Sequence, residues 1–120
     1  MTLTVVVPVW DSYCAYLREC VESVLEQNVA LRVLVVDNAS RVPLPELPAG
    51  VEVVRSERRL SAGAARNLGL ARVETPLVAF VDADDVLLPG TYGRLLAGLR
   101  PGDVGISAAL LENVVGKIVL

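Results

Sequence analysis

The sequence contains no histidine, so it supplies neither a histidine-based catalytic dyad nor a histidine metal site. Cysteine is nearly as scarce. Cys14 and Cys20 are the only two, six positions apart, and that spacing matches neither a CxxC redox motif nor a zinc knuckle. They are expected to pack as small apolar residues on a helix in a reducing compartment. Clustered positive charge is also missing. Eleven Lys and Arg against 14 Asp and Glu leave a net charge of −3, which argues against a nucleic-acid partner. No apolar run approaches the ~20 residues needed to span a bilayer. The N-terminus lacks the basic, apolar and small-residue zones of a signal peptide. Internal repeats and low-complexity segments are absent as well. The expectation is a cytoplasmic chain without a transmembrane segment, with peripheral membrane association left open.

What the sequence has in excess is apolar residues. They make up 53% of the 120 positions, and mean hydropathy is +0.53. This length suits one domain with a real core. The excess fits an α/β protein with a buried sheet, or a piece cut from something larger.

Residues 3–7 are a β-branched run that Pro8 is expected to end, because proline has no N–H for a ladder. Val9, Trp10, Asp11 and Ser12 form the next loop, with Asp11 or Ser12 as the expected N-cap. Over residues 13–27, Tyr13, Leu17, Cys20, Val21, Val24 and Leu25 recur at three- and four-residue spacing as one apolar helical face. Residues 31–36 are a second apolar strand, stopping at Asp37-Asn38-Ala39-Ser40. Strand, helix, strand over this length predicts a βαβ unit with parallel strands and a right-handed crossover.

Pro43, Pro45, Pro48 and Gly50 mark a stiff connection to a short third strand over residues 51–54. Arg55, Arg58 and Arg59 fall in a charged segment, 55–60, that reads as a solvated loop. Ser61 is expected to cap a helix of small residues reaching Ala71, whose alanines and glycines would let it lie close to the sheet or to a ligand. Residues 77–81 show no alternation and predict a central strand buried on both faces. Pro89 near the first helical position, with Tyr92, Leu95, Leu96 and Leu99, marks a further amphipathic helix stopped by Pro101-Gly102. Residues 103–111 and 115–120 read as two more strands, paired through a turn at Glu112, Asn113 and Gly116. The last of them ends apolar, so a chain truncated at its C-terminus is expected.

The central strand runs into Asp82, Asp84 and Asp85, three carboxylates within four residues. Such a cluster repels itself unless solvent or a cation compensates. A hard divalent ion, Mg²⁺ or Mn²⁺, takes oxygen ligands and shares them with substrate phosphates. In open α/β sheets, ligands bind beyond the carboxyl ends of the strands, where Asp82, Ala83 and Asp84 would sit. The plain alternative is an exposed acidic turn that caps the helix near Pro89. Asp37 follows another strand, and the first strand brings the loop Val9-Trp10-Asp11 to the same edge. A crevice is thereby outlined. Trp10 would stack on a base, Asp37 would accept base or ribose hydrogen bonds, Arg66 would meet phosphate, and Asp84 would hold the cation. Each part alone has an ordinary alternative: Asp37 as a turn residue, Trp10 as packing, Arg66 as a solvated helix residue.

Four motifs stand in order along the chain: Val5-Val6-Val7-Pro8-Val9-Trp10-Asp11, Val33-Leu34-Val35-Val36-Asp37-Asn38-Ala39-Ser40, Gly63-Ala64-Ala65-Arg66-Asn67-Leu68-Gly69, and Phe80-Val81-Asp82-Ala83-Asp84-Asp85 with Pro89 after it. Through them the chain resembles the N-terminal, nucleotide-sugar-binding half of a family 2 glycosyltransferase with the GT-A fold, over residues 4–99. The resemblance implies a single Rossmann-like α/β domain over residues 1–120, its mostly parallel sheet flanked by helices. It implies inverting, metal-dependent transfer of a sugar from a nucleotide-diphosphate sugar, a UDP- or GDP-sugar, to an acceptor hydroxyl. By position, Pro8, Val9, Trp10, Asp11 and Asp37 would hold base and ribose, and Arg66 would lie near the nucleotide and its phosphates. Asp82-Ala83-Asp84 would be the DxD motif, with Asp82 facing ribose or metal and Asp84 coordinating Mg²⁺ or Mn²⁺. Asp85 would face the donor sugar or the acceptor.

The sequence departs from that family in stopping before the region that normally supplies the general base and the acceptor site. No catalytic residue is therefore assigned, and Glu112 falls in an expected turn. The alternative is a non-catalytic nucleotide-sugar-binding module, a truncated or degenerate copy without the base. Phosphoryl transfer on a receiver-like or phosphatase-like domain would need a lysine after a later strand. The sole lysine, Lys117, stands near the end of the chain and disfavours it.

Overall fold

The computed structural model describes residues 2–98 and the strand Ile118–Val119. Five strands form one sheet: β1 Leu3–Val9, β2 Leu31–Asn38, β3 Glu52–Ser56, β4 Leu77–Phe80 and β5 Ile118–Val119. Their order across the sheet is β3-β2-β1-β4-β5, and every pairing is parallel. Helices α1 (Cys14–Leu25), α2 (Ala62–Leu70) and α3 (Thr91–Ala97) complete the described fold. The α/β class and the parallel, helix-flanked sheet are as expected. Among the described residues, no helix is long and apolar enough to cross a membrane.

The apolar runs lack alternation because both faces of the sheet are covered. Side chains alternate along each strand. Val5, Val7, Val9, Val33 and Val35 join the α1 residues Leu17, Cys20, Val21 and Val24 in one cluster. Val6, Leu34, Val36 and Val78 pack with Ala65 and Leu70 of α2 in the other. Gly69 lets α2 settle onto its face: a Cβ there would collide with Val6 and stand 2.9 Å from Val36 Cγ2. Ser61 caps the helix as expected, its Oγ accepting from the Ala64 N–H at 3.1 Å.

Several boundaries differ from the sequence reading. Pro8 does not end β1, which continues to Val9. The Val6 carbonyl accepts from Val81 on the β4 side, and backbone groups alternate sides along a strand. The Pro8 nitrogen therefore also points toward β4, beyond the last β1–β4 pair at Val6 and Phe80, where no donor is needed. Neither Asp11 nor Ser12 caps α1. Residues Asp11–Tyr13 form a 3-10 turn, and the N-cap position of α1 is Tyr13, with no side-chain bond. That turn moves the start of the buried face to Cys14, leaving Tyr13 exposed, while Leu25 is exposed at the far end. Both cysteines are free and buried on α1, as expected.

β2 and β3 run further than their apolar cores suggest, so Asp37 and Arg55 are strand residues facing each other in register. Pro89 lies two positions before the first residue of α3, because Gly90 intervenes in the left-handed conformation at φ 77°. Leu99, Pro101-Gly102, the expected strand over 103–111 and its turn lie outside the described residues.

Candidate functional site

Parallel strands deliver their carboxyl ends to one edge. Val9 pairs with Asp37, and Asp37 with Arg55, so the ends of β1, β2 and β3 are level. β4 stops at Phe80 beside Val6 and is followed by a turn in which the Asp85 N–H donates to the Asp82 carbonyl at 2.9 Å. Asp37 and Asp84 thus stand on the same rim.

A cavity of about 510 Å³ opens at this rim. Pro8, Val9, Trp10 and Tyr13 line it from the end of β1, and Asn38 from the end of β2. Arg59 and Leu60 come from the loop after β3, Ala62, Ala65 and Arg66 from α2, and Asp82, Ala83 and Asp84 from the turn after β4. Of the residues singled out in the sequence, Pro8, Val9, Trp10, Arg66, Asp82 and Asp84 therefore share one wall. Asp11, Asp37 and Asp85 do not line it.

Asp37 is only 6% exposed, and both of its oxygens are engaged. Oδ1 accepts from the Ser40 N–H at 3.0 Å, and Oδ2 accepts from Arg55 at 2.8 Å. Asp11 stands at the rim with a positive φ of 45°. Its Oδ1 accepts from the Arg41 N–H at 2.9 Å and its Oδ2 from Arg59 at 2.9 Å. The Arg41 amide first, and Arg59 second, hold the Asp11 carboxyl below the usual carboxylate range. The guanidinium carbon of Arg59 lies 3.9 Å from the centroid of the Trp10 ring, which is tilted against Tyr13 at 5.7 Å.

At the other end, carboxylate oxygens of Asp82, Asp84 and Asp85 all lie within 4.8 Å of one another, and all three residues are exposed. Arg66 donates to Asp82 Oδ1 at 3.0 Å. Three hard oxygen donors with a single arginine among them fit a divalent ion of the Mg²⁺ or Mn²⁺ kind. Cys20 does not belong to this donor set. Burial, then the charges of Asp85, Asp82 and Asp84, push its thiol up to about 12, and its Sγ donates to the Asp82 carbonyl at 3.5 Å.

Among the wall residues that escaped the sequence reading, Asn38 and Arg59 make the bonds that fix the wall. Asn38 grips Leu60 with both ends of its amide, accepting from the Leu60 N–H at 2.8 Å and donating to its carbonyl at 2.9 Å. Its only signal was a polar residue at the end of an apolar run. Arg59 reads as solvated because its partners, Trp10 and Asp11, are far away in sequence.

Comparison with known proteins bears on the family and the fold. The chain is 32% identical over 88 residues to the succinoglycan biosynthesis protein ExoU of Rhizobium meliloti, covering 68% of this chain and 26% of that one. It is 37% identical over 118 residues to a pre-mycofactocin glycosyltransferase of Mycobacterium tuberculosis, covering 94% and 24%. The crystal structure of residues 1–349 of TarS from S. aureus superposes with a TM-score of 0.68 at 26% identity, covering 81% of this chain and 32% of that one. The same protein in complex with UDP gives 0.66 at 25%, covering 81% and 31%. The chain thus spans about a quarter to a third of the length of these relatives. The Rossmann-like sheet is that of the GT-A fold. With the family model matching residues 4–115, the chain belongs to glycosyl transferase family 2.

Proposed function

We propose that the rim cavity takes the nucleoside diphosphate of a sugar nucleotide, and that the chain serves metal-dependent, inverting transfer of the sugar to an acceptor hydroxyl. The observation that carries this reading is the convergence of Trp10, Arg66, Asp82 and Asp84 on one cavity at the carboxyl rim. Asp84, with Asp82, would hold Mg²⁺ or Mn²⁺. Such a cation, when bound, acts as a Lewis acid on the charge that grows on a leaving diphosphate.

The chain's own groups bind and orient. Arg66 keeps donors free beyond its bond to Asp82 and presents a planar guanidinium to phosphate oxygens. Pro8, Val9 and Trp10 form the nucleoside side of the wall. Asp37 and Asp11 support that wall, Asp37 by fixing Ser40, on whose Oγ the Asp11 N–H rests at 3.0 Å. Asp85, outside the cavity wall, is left for the donor-sugar or acceptor side. Crystals of the related TarS with UDP make a uridine nucleotide the first ligand to try. The free, buried cysteines support the cytoplasmic placement.

We assign the general base to none of the described residues. A second reading keeps the same cavity and acidic turn but has residues 1–120 bind the donor without transferring its sugar.

Calorimetric titration of UDP and GDP, with Mn²⁺ and with a chelator, tests the first reading. Binding of one nucleotide should need the metal, and Asp84→Ala should weaken it by about tenfold or more. Binding that is undiminished by both the chelator and the substitution overturns it. A sugar-release assay on the same protein separates transfer from binding alone.

A further inference from the structure

Between the end of β4 at Phe80 and the start of α3 at Thr91 the chain forms no strand or helix. Two buried polar side chains hold this stretch: Ser23 of α1 and Gln27, two positions past the helix end, 7% and 4% exposed. Ser23 Oγ donates to the Cys20 carbonyl at 2.6 Å and accepts from the Leu87 N–H at 3.0 Å. Gln27 uses both ends of its amide. Its Nε2 donates to the Ser23 carbonyl at 3.2 Å and to the Leu88 carbonyl at 3.0 Å, and its Oε1 accepts from the Tyr92 N–H at 3.1 Å. Gly90, the N-cap of α3, has no side chain to cap with, so Gln27 caps that helix from across the fold.

A buried hydroxyl or amide costs free energy unless it is bonded, and the rest of this α1 face is apolar: Leu17, Val21 and Val24. The polar pair sits where the chain behind the acidic turn has to be fixed. Carboxylate oxygens of Asp82, Asp84 and Asp85 crowd within 4.8 Å of one another, and like charges so close push the turn open. Arg66 pairs with Asp82. Among the described residues the side chains of Asp84 and Asp85 have no hydrogen-bond or ion-pair partner. Ahead of the turn, the Val81 N–H ties the chain to the Val6 carbonyl at 3.1 Å. Behind it, the tether nearest to Asp85 is the Leu87 N–H on Ser23.

We infer that Ser23 and Gln27 are positioning residues of the acidic turn: they anchor the chain behind it so that Asp82 and Asp84 stay gathered for a divalent ion. This rests on the reading of that turn as a cation site. Groups that orient metal ligands without touching the metal typically govern its affinity about tenfold or more.

Calorimetric titration with Mn²⁺-UDP and Mn²⁺-GDP, on wild type, Ser23→Ala, Gln27→Met and Val24→Ala, tests the inference. The first two variants should weaken the nucleotide that binds wild type about tenfold and alter the electron paramagnetic resonance spectrum of the bound Mn²⁺. Val24→Ala opens the packing of the same helix without touching the tethers, and should change neither. Ser23→Ala, the smaller change, carries the test if Gln27→Met does not fold. Three outcomes overturn the inference: affinity unchanged in the tether variants, an equal loss in Val24→Ala, or weakened binding with the Mn²⁺ spectrum of wild type. A wild-type protein that binds neither nucleotide fails the cation-and-nucleotide reading itself, whereas binding indifferent to Ser23 and Gln27 fails this inference alone.

Discussion

Cys20 shows how one residue reports on the electrostatics of the site. Its thiol is buried on α1 and faces the carbonyl of Asp82, below three carboxylates. Burial, and then those negative charges, raise its pKa from 9.0 to about 12. A raised pKa means that the folded state keeps the thiol protonated when the unfolded chain would release the proton. The contribution is therefore fully present below pH 9 and declines as pH rises from 9 toward 12. Tyr92, also pushed up by burial from 10.0, adds a decline in the same direction. Denaturant unfolding across that range should show an alkaline loss of stability that is smaller in Cys20→Ala, with a packing cost of about 1 kcal/mol at neutral pH. An alkaline limb identical in both proteins would contradict this account. The thiol's place on the helix was legible from spacing. Its proximity to the acidic turn was not, because 62 positions separate it from Asp82.

Among the elements, α2 depends most on a single position. Gly69 faces the sheet where Val6 and Val36 leave no room for a methyl group. Overpacking of this kind costs about 1–3 kcal/mol, so Gly69→Ala should lower the unfolding free energy by that amount despite alanine's better helix propensity. Because α2 carries Arg66, the same variant should also weaken nucleotide binding as the helix is pushed outward. A Gly69→Ala protein as stable as wild type would show that the sheet yields freely. The small-residue composition of this helix announced a close approach in the sequence, and Ser61 announced its start. The starts of β1 and β2 were also legible, from unbroken apolar runs. The far ends of β1, β2 and β3 were not. They lie past the apolar core in polar or proline positions that are held by neighbouring strands rather than by their own propensity.

For the whole molecule, the rim holds together through pairs that join distant segments. Asp37 near the end of β2 binds Arg55 on β3 and the turn at Ser40, and Ser40 in turn receives the Asp11 N–H from the 3-10 turn after β1. Removing the carboxylate in Asp37→Ala leaves the Ser40 amide without its acceptor and Arg55 with only the Ser40 carbonyl and Glu57, at a cost of about 1–3 kcal/mol. Unfolding measurements should show that loss, together with weaker nucleotide binding, although Asp37 does not line the cavity. Loss of binding with no loss of stability would instead mark Asp37 as a direct ligand contact.

By itself, the sequence determined the α/β class, the parallel βαβ unit, the cap at Ser61 and the acidic turn of Asp82, Asp84 and Asp85. These depend on local periodicity, capping chemistry and the clustering of like charges, all readable within a short window. Only the tertiary structure decided that Asp37 faces Arg55 rather than the cavity, that Asn38 clamps Leu60, and that Arg59 lies on Trp10. Strand register and the meeting of loops from separate strands set those contacts, and no window of neighbouring residues encodes them.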